Sequence, residues 1–148
     1  MTTLSEAKTI LEGDSTLLST ATGGVWDWDE LGRLGLNRTN TPAAFDSNEI
    51  IKPCVVLKWR SSTPDYELVD DANQFVSLVD MLEAWAYEDD GYSNIRTMLE
   101  RVYVLLHAQV LGDDAQVKWA GDSPQLRDDD LDACVQRSDY QVYTSRSV

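Results

Sequence analysis

The chain has 148 residues and a formal net charge of −14, set by 26 acidic and 12 basic side chains. Its length suits a single domain, 1–148, that can bury a core without disulfides or metals. Both halves are acidic, with 12 acids and 6 bases in residues 1–74 and 14 acids and 6 bases in residues 75–148. Such a chain is expected to repel nucleic acid and anionic membranes, because holding phosphates requires Lys and Arg.

Two short helices are predicted at the amino-terminal end. Thr3 and Glu6 fit a capping box, in which a hydroxyl and a carboxylate three residues later satisfy the free amides that begin a helix. Gly13 is expected to end this helix, and Asp14 or Ser15 then caps a second one.

The next segment combines a short strand with a long loop. Residues 25–29 alternate with period two, which is typical of a strand. Trp26 and Trp28 either pack on one sheet face or anchor a contact with another subunit, since Trp is enriched at interfaces. Residues 30–49 mix Gly, Asn, Thr and Pro without a period and predict a long loop, a kind of segment that is usually functional or mobile. Phe45, within this loop, is a third candidate for a subunit contact.

Two strands or one strand and a helix are predicted in the middle of the chain. Residues 50–60 alternate clearly and predict a strand. Residues 74–87 fit a helical stripe and a strand face equally well, and periodicity alone does not decide between them. The acidic stretch Glu88–Gly91 then predicts a turn.

A long helix is predicted over residues of about 92–111. Asp90 or Ser93 is expected to cap its start and Gly112 to end it. Its apolar stripe, which would pack on a sheet, comprises Ile95, Leu99, Val102, Leu106 and Val110, widened by Met98 and Leu105.

The carboxyl-terminal part predicts two closing strands with a second long loop between them. Residues 116–119 and 138–145 alternate like strands, and residues 121–137 join them. This loop contains an acidic run, Asp128–Asp132, which lacks the central Gly and the final Glu of a calcium-binding EF-hand loop. We therefore expect the run to be a solvated group of charges.

The sequence contains no motif for catalysis, cofactor binding or metal binding. His107, the only histidine, is expected to lie at the surface or at a helix end. Cys54 and Cys134 are expected to be reduced, partly buried thiols, because their separation matches neither a disulfide framework nor a metal site. The sequence therefore predicts no enzyme, no cofactor and no metal.

The order of these elements resembles that of the tail completion, or tail terminator, family of long-tailed bacteriophages. The resemblance depends on a capped amino-terminal helix, a Gly-Val-Trp strand and a Pro-containing strand at Lys52–Leu57. It continues with Trp85–Tyr92 leading into Arg101–Leu106, and it ends with a Tyr-x-Val-Tyr strand at residues 140–143.

The resemblance implies an α+β fold, with an antiparallel β-sheet of about four or five strands packed against the N-terminal helix and the long helix. It also favours a strand over residues 74–87. It implies a ring, usually a hexamer, at the head-proximal end of a tail tube in the virion, made in the host cytoplasm. The ring would end tube growth and join the tail to the head. Its partners would be the tail tube protein, a head–tail connector or adaptor protein, and double-stranded DNA passing without specific binding.

Two acidic clusters are candidates for the lumen of such a ring, where like charge would keep DNA from adhering. The first comprises Asp128, Asp129, Asp130 and Asp132, and the alternative comprises Glu88, Asp89 and Asp90. The chain has 18 Asp and 4 Lys. An alternative explanation of this composition is a surface that is acidic throughout, as in proteins from salty environments. The competing functions are a head-to-tail adaptor on the portal side, an acidic DNA-mimic inhibitor of a nucleic-acid-binding protein, and a small enzyme with a carboxylate pair.

Overall fold

The computed structural model describes residues 3–64, 75–112 and 115–147. The helices are α1 (Thr3–Glu12), α2 (Ser15–Thr20), α3 (Trp28–Leu31) and α4 (Ser93–Leu106), with 3₁₀ turns at Gly32–Leu34 and Pro42–Ala44. The strands are β1 (Val25–Asp27), β2 (Cys54–Pro64), β3 (Phe75–Glu88), β4 (Val110–Leu111), β5 (Ala115–Asp122), β6 (Leu126–Asp128) and β7 (Ala133–Ser147). Within these residues, no helix is long and apolar enough to cross a membrane.

The α+β class is confirmed, but the sheet is larger than expected. It contains seven strands in the order β1-β2-β3-β7-β5-β4, with β6 also paired to β7. β1 pairs with β2 in parallel, so the sheet is not wholly antiparallel. The strands that the sequence did not predict, β4 and β6, have two and three residues. Strands this short have no readable period and form only because a long neighbour offers hydrogen-bonding partners.

Residues 75–88 form a strand, as the family resemblance implied. Trp85 in β3 pairs with Val56 in β2 on one side and with Arg137 in β7 on the other. Pairing on both edges satisfies the backbone over most of the segment, which settles an ambiguity that periodicity left open.

The prediction of a long helix at about 92–111 is right in place and wrong in length. α4 ends at Leu106, and Val110 then pairs with Gln116 in the β4–β5 ladder. Ala108 has a φ of 66°, a left-handed conformation that turns the chain out of the helix before Gly112. Among the residues of the predicted stripe, Ile95, Met98, Leu99, Val102 and Leu106 are buried, Leu105 is half-buried, and Val110, beyond the helix, is 56% exposed.

Both predicted long loops contain regular structure. In residues 30–49, α3, two 3₁₀ turns and a bridge between Phe45 and Ile51 fold the chain onto the sheet. In residues 121–137, β5 continues to Asp122, and β6 and β7 then form a hairpin with a turn at residues 129–132. The sequence predicted irregular structure here because side-chain hydrogen bonds of residues such as Asn37, Asn40 and Asp46 hold these turns, and such bonds leave no periodic pattern.

The predicted helix caps are partly confirmed. The Asp14 carboxylate accepts a hydrogen bond from the backbone N–H of Leu17 at 2.8 Å and caps α2. The Glu6 carboxylate accepts a hydrogen bond from the backbone N–H of Gly112, and the Thr3 side chain of the predicted capping box lies outside what the structure describes. Asp27 and Glu30 form an unpredicted capping box that ends β1 and begins α3 at Trp28.

The sheet buries both of its faces under different layers. On the helix-covered face, Val55, Leu57 and Leu82 pack against α1, α2 and α4. On the loop-covered face, Cys54 and Val56 pack under the segment that contains Leu31 and Phe45. Cys54 and Cys134 are free and buried, as expected. Burial raises the pKa of the Cys54 thiol to about 12, so this group is an inert apolar side chain.

Candidate functional site

The acidic run lies in the turn between β6 and β7. The Asp128 carboxylate is half-buried and accepts a hydrogen bond from the backbone N–H of Leu131 at 3.0 Å, so it builds the turn. Asp129, Asp130 and Asp132 project outwards, and the Asp129 side chain is 93% exposed. Arg127 forms ion pairs with Asp129 and Asp132. Four carboxylates and one guanidinium leave the turn with a net charge of −3.

The second acidic cluster divides into a structural residue and two exposed ones. Glu88 is buried, and its carboxylate accepts hydrogen bonds from the backbone N–H groups of Asn94 and Ile95 at 3.1 and 3.3 Å. It therefore caps α4, a role that the sequence assigned to Asp90 or Ser93, and the positive end of the helix dipole stabilises its charge. A lumen position for Glu88 is at odds with this burial, whereas Asp89 and Asp90 are exposed.

The fold brings the two acidic clusters to the same end of the sheet. Glu88 in β3 pairs with Cys134 in β7, and Asp128 in β6 pairs with the preceding residue, Ala133. The Tyr92 hydroxyl also donates to the backbone carbonyl of Leu126 at 2.6 Å and ties the two turns together. We call this region the acidic end; its exposed carboxylates belong to Asp89, Asp90, Asp129, Asp130 and Asp132.

The three aromatic candidates for subunit contact have different environments. Phe45 is buried against the loop-covered face, so its ring has little surface left for a neighbour. Trp26 is half-buried, packs against the same core, and donates from Nε1 to the Gly23 carbonyl at 2.9 Å. Trp28 is 46% exposed, and Lys58 Nζ lies 4.3 Å from its ring centroid. Trp28 is therefore the candidate with the most surface open to a partner.

A row of charged and aromatic side chains extends the loop-covered face along the strands. The Trp85 ring contacts Lys58 Nζ at 4.3 Å and Arg137 Cζ at 5.4 Å, both measured to the ring centroid. Glu83 is buried and lies 3.5 Å from Arg60 and 3.8 Å from Arg137. Burial lowers the pKa of Lys58, although Glu83 and Asp128 act against it. Sequence analysis did not find this row, because its members meet across three strands.

A groove between α4 and β5 was also missed. It has a volume of about 620 Å³ and is lined by Leu99, Tyr103, Val104 and Trp119, with polar side chains around them. The Tyr103 ring meets the Trp119 ring edge-on at 5.9 Å and stacks on His107 at 4.9 Å. His107 is exposed at the end of α4, as expected, and its Nδ1 accepts from the backbone N–H of Trp119 at 3.0 Å. Tyr103 and Trp119 are 16 positions apart in the sequence, and they meet only because the fold places α4 beside β5.

An ion pair joins the helices on the opposite side of α4. The Arg101 guanidinium donates twice to the Asp14 carboxylate, both at 2.8 Å. This contact, with desolvation opposing it, lowers the pKa of Asp14 to about 2. Across the described ranges 3–64, 75–112 and 115–147, no three His, Cys, Asp or Glu side chains are placed to hold a metal ion.

No family model matches this sequence, and no curated protein matches it. Comparison of the fold gives a positive result. A chain from the virion of a native gene transfer agent (GTA) particle superposes with a TM-score of 0.63. The two sequences are 11% identical, and the alignment covers 97% of this chain and 94% of that chain. The protein therefore shares its fold, over almost its full length, with a chain of the GTA virion.

Proposed function

We propose that the protein is a structural component of a virion and acts without catalysis. The observation that supports this most strongly is the fold shared with the GTA virion chain, which extends over 97% of one chain and 94% of the other. The likeness covers both chains almost completely. It therefore favours a similar kind of subunit in both particles.

We further propose that the subunit belongs to a closed ring at the head-proximal end of a tail tube. In this position it would act as a tail terminator, which ends tube growth and joins the tail to the head connector. The family resemblance of the sequence elements and the confirmed strand at β3 support this assignment. Contacts between unlike surfaces of identical subunits close into a ring when the rotation from one subunit to the next completes a circle. Such a ring would end tube growth because its head-proximal side offers no surface to the next layer of tube protein.

The acidic end suits a passage for DNA. Five exposed carboxylates lie at one end of the sheet, and Arg127 forms ion pairs with two of them, Asp129 and Asp132. Two of the basic side chains on the loop-covered face, Arg60 and Arg137, already form ion pairs with Glu83. A surface with these properties offers phosphates few free cations, so DNA would slide along it without adhering.

Tail length in particles that lack the protein tests the proposed position. If the protein is a terminator, tubes should grow beyond their normal length, because nothing caps the polymer. Normal tails detached from filled heads would assign the protein to the adaptor position on the portal side instead. Intact infectious particles of normal length would contradict both assignments and the virion role itself.

A further inference from the structure

The groove between α4 and β5 is an exposed apolar surface with a polar rim. Tyr103, Val104 and Trp119 are all exposed, and Val104 is 59% exposed. They lie beside the buried stripe of α4, so folding of the chain leaves them uncovered. Apolar patches with a polar rim mark sites of protein contact more often than ordinary surface does.

Hydrogen bonds and ring contacts hold the aromatic side chains of the groove. The Trp119 indole donates from Nε1 to the Asp122 carboxylate at 3.1 Å, and its ring meets that of Tyr103 edge-on. The backbone of β5 beside the groove is already paired, because Val117 exchanges hydrogen bonds with Ala108 and Gln109 and the Trp119 N–H donates to His107 Nδ1. The groove therefore offers a partner aromatic side chains and not a free strand edge, and such side chains often anchor protein contacts.

A second exposed apolar surface lies at the opposite edge of the sheet. We call the segment Trp28–Leu34, which follows β1, the corner. Leu34 is 61% exposed and Trp28 is 46% exposed. In the strand order, β1 and β5 are four positions apart, or roughly 19 Å at the spacing of neighbouring strands. The corner and the groove of one chain therefore cannot cover each other.

Each of the two surfaces carries exposed charges of both signs. Asp29 and Arg33 are exposed in the corner, and Arg96 and Glu100 are exposed on the rim of the groove, so Arg33 can meet Glu100 while Asp29 meets Arg96. None of these four side chains has an ion-pair partner within the described residues. In a chain with a net charge of −14, two copies repel one another unless local opposite charges meet.

We propose that the groove between α4 and β5 binds the corner of a second copy of this chain. Trp28 and Leu34 of one subunit pack on Tyr103, Val104 and Trp119 of the next, and Arg33 approaches Glu100. The contact joins two different surfaces, so each subunit keeps one of each kind free until a ring closes. This inference rests on the proposed ring and identifies the two surfaces that form it.

The experiment uses one variant for each surface and a matched control. Val104→Glu alters the groove and Leu34→Glu alters the corner, and both positions are exposed enough that folding should persist. Leu18→Glu places the same charge on an exposed leucine of α2, outside both surfaces. Native mass spectrometry of the purified chains should show rings for the wild type and for Leu18→Glu, but none for the two surface variants.

Mixing the two surface variants distinguishes unlike surfaces from like ones. Each mixed pair retains one intact groove and one intact corner, so dimers with one copy of each variant should form and should not close. In parallel, Arg33→Glu or Glu100→Arg alone should lower the assembly constant roughly tenfold or more, because like charges then face each other. Both changes in the same chain should restore assembly.

Two results would overturn the inference, and they can be told apart. Rings that survive both Val104→Glu and Leu34→Glu, as they survive Leu18→Glu, would place the subunit contact elsewhere and leave the proposed ring intact. A wild-type chain that stays monomeric under all conditions would remove the ring, and this inference with it.

Discussion

The two faces of the sheet are covered in different ways. The helix-covered face packs side chains such as Leu57 and Met98 between the strands and three helices. The loop-covered face packs against α3, two 3₁₀ turns and the acidic hairpin, and its apolar cluster is smaller. Farther along the same strands, the loop-covered face becomes a row of charged and aromatic side chains around Trp85.

This difference indicates that the parts of the subunit that stabilise its fold are not the parts that contact other subunits. Regular helices hold a deep core on one face, where Ile95, Met98, Leu99, Val102 and Leu106 of α4 are buried. The irregular layer on the other face, together with the sheet edges, carries the exposed Trp28, Leu34 and Trp119. We infer that the helix-covered face keeps the subunit rigid, and that the irregular layer, the sheet edges and the exposed side of α4 at Tyr103 and Val104 make the contacts of the assembly.

The largest expected effect compares the same substitution on the two faces. Leu57→Ala on the helix-covered face should lower the free energy of unfolding by about 2–5 kcal/mol, because the helices cannot collapse into the cavity. Leu131→Ala on the loop-covered face should cost about 2 kcal/mol or less, because the acidic turn can relax. Urea unfolding of both variants measures the difference. Equal losses would show that both layers are equally rigid.

A smaller effect distinguishes the two halves of the second acidic cluster. Glu88→Ala leaves the amides of Asn94 and Ile95 without their acceptor and should cost about 1–3 kcal/mol in unfolding free energy. Asp89→Ala, at the next residue, removes an exposed carboxylate and should change that free energy by no more than about 0.5 kcal/mol. Thermal unfolding compares the two variants, and a large loss for Asp89→Ala would argue against the assignment of the cap to Glu88.

The pH dependence of stability tests the ion pair between the helices. The folded-state pKa of Asp14 is lowered from 3.8 to about 2, chiefly by Arg101. The stability from this pair should be fully present above about pH 4 and should be lost as the pH falls towards 2. Unfolding measured at several pH values should show a shallower loss in this window for Arg101→Gln than for the wild type. If the unfolding free energy fell with the same slope against pH in both proteins, the ion pair between Asp14 and Arg101 would not be the source of that slope.

The smallest effect on stability is expected at the acidic end. Asp129→Asn and Asp130→Asn together should change the unfolding free energy by no more than about 0.5 kcal/mol, because both side chains are exposed. If these residues face a DNA passage, the same variant should slow DNA release from particles, since fewer charges repel the phosphates. Glu12→Gln, an exposed control on α1, should leave release unchanged. If the double variant and the control released DNA at the same rate, the acidic end would not face the passage.

Much of the fold could be predicted from the sequence. The α4 stripe has a strong period because one side of the helix packs on the sheet, and β2, β5 and β7 alternate because they pair along much of their length. The strand at β3 needed the family resemblance, since Phe75–Glu88 fits both periods. The short strands β4 and β6 could not be predicted, because a long neighbour and not their own composition determines them.

The candidate site was less accessible to sequence analysis. The sequence identified the acidic residues but not that Glu88 is a buried cap, because the contact joins β3 to α4 through the fold. It identified Trp28 as a possible contact and gave no indication of the groove. Tyr103 and Trp119 meet only because β5 lies beside α4, and no spacing along the chain encodes that approach.

Size-exclusion chromatography with light scattering, on the purified protein with and without tail tube protein, tests the central claim most directly. We expect a closed assembly of about six copies, formed by the chain alone or when tube protein is added. A single copy at every concentration, with no binding to any virion component, would contradict the proposed role as a ring subunit.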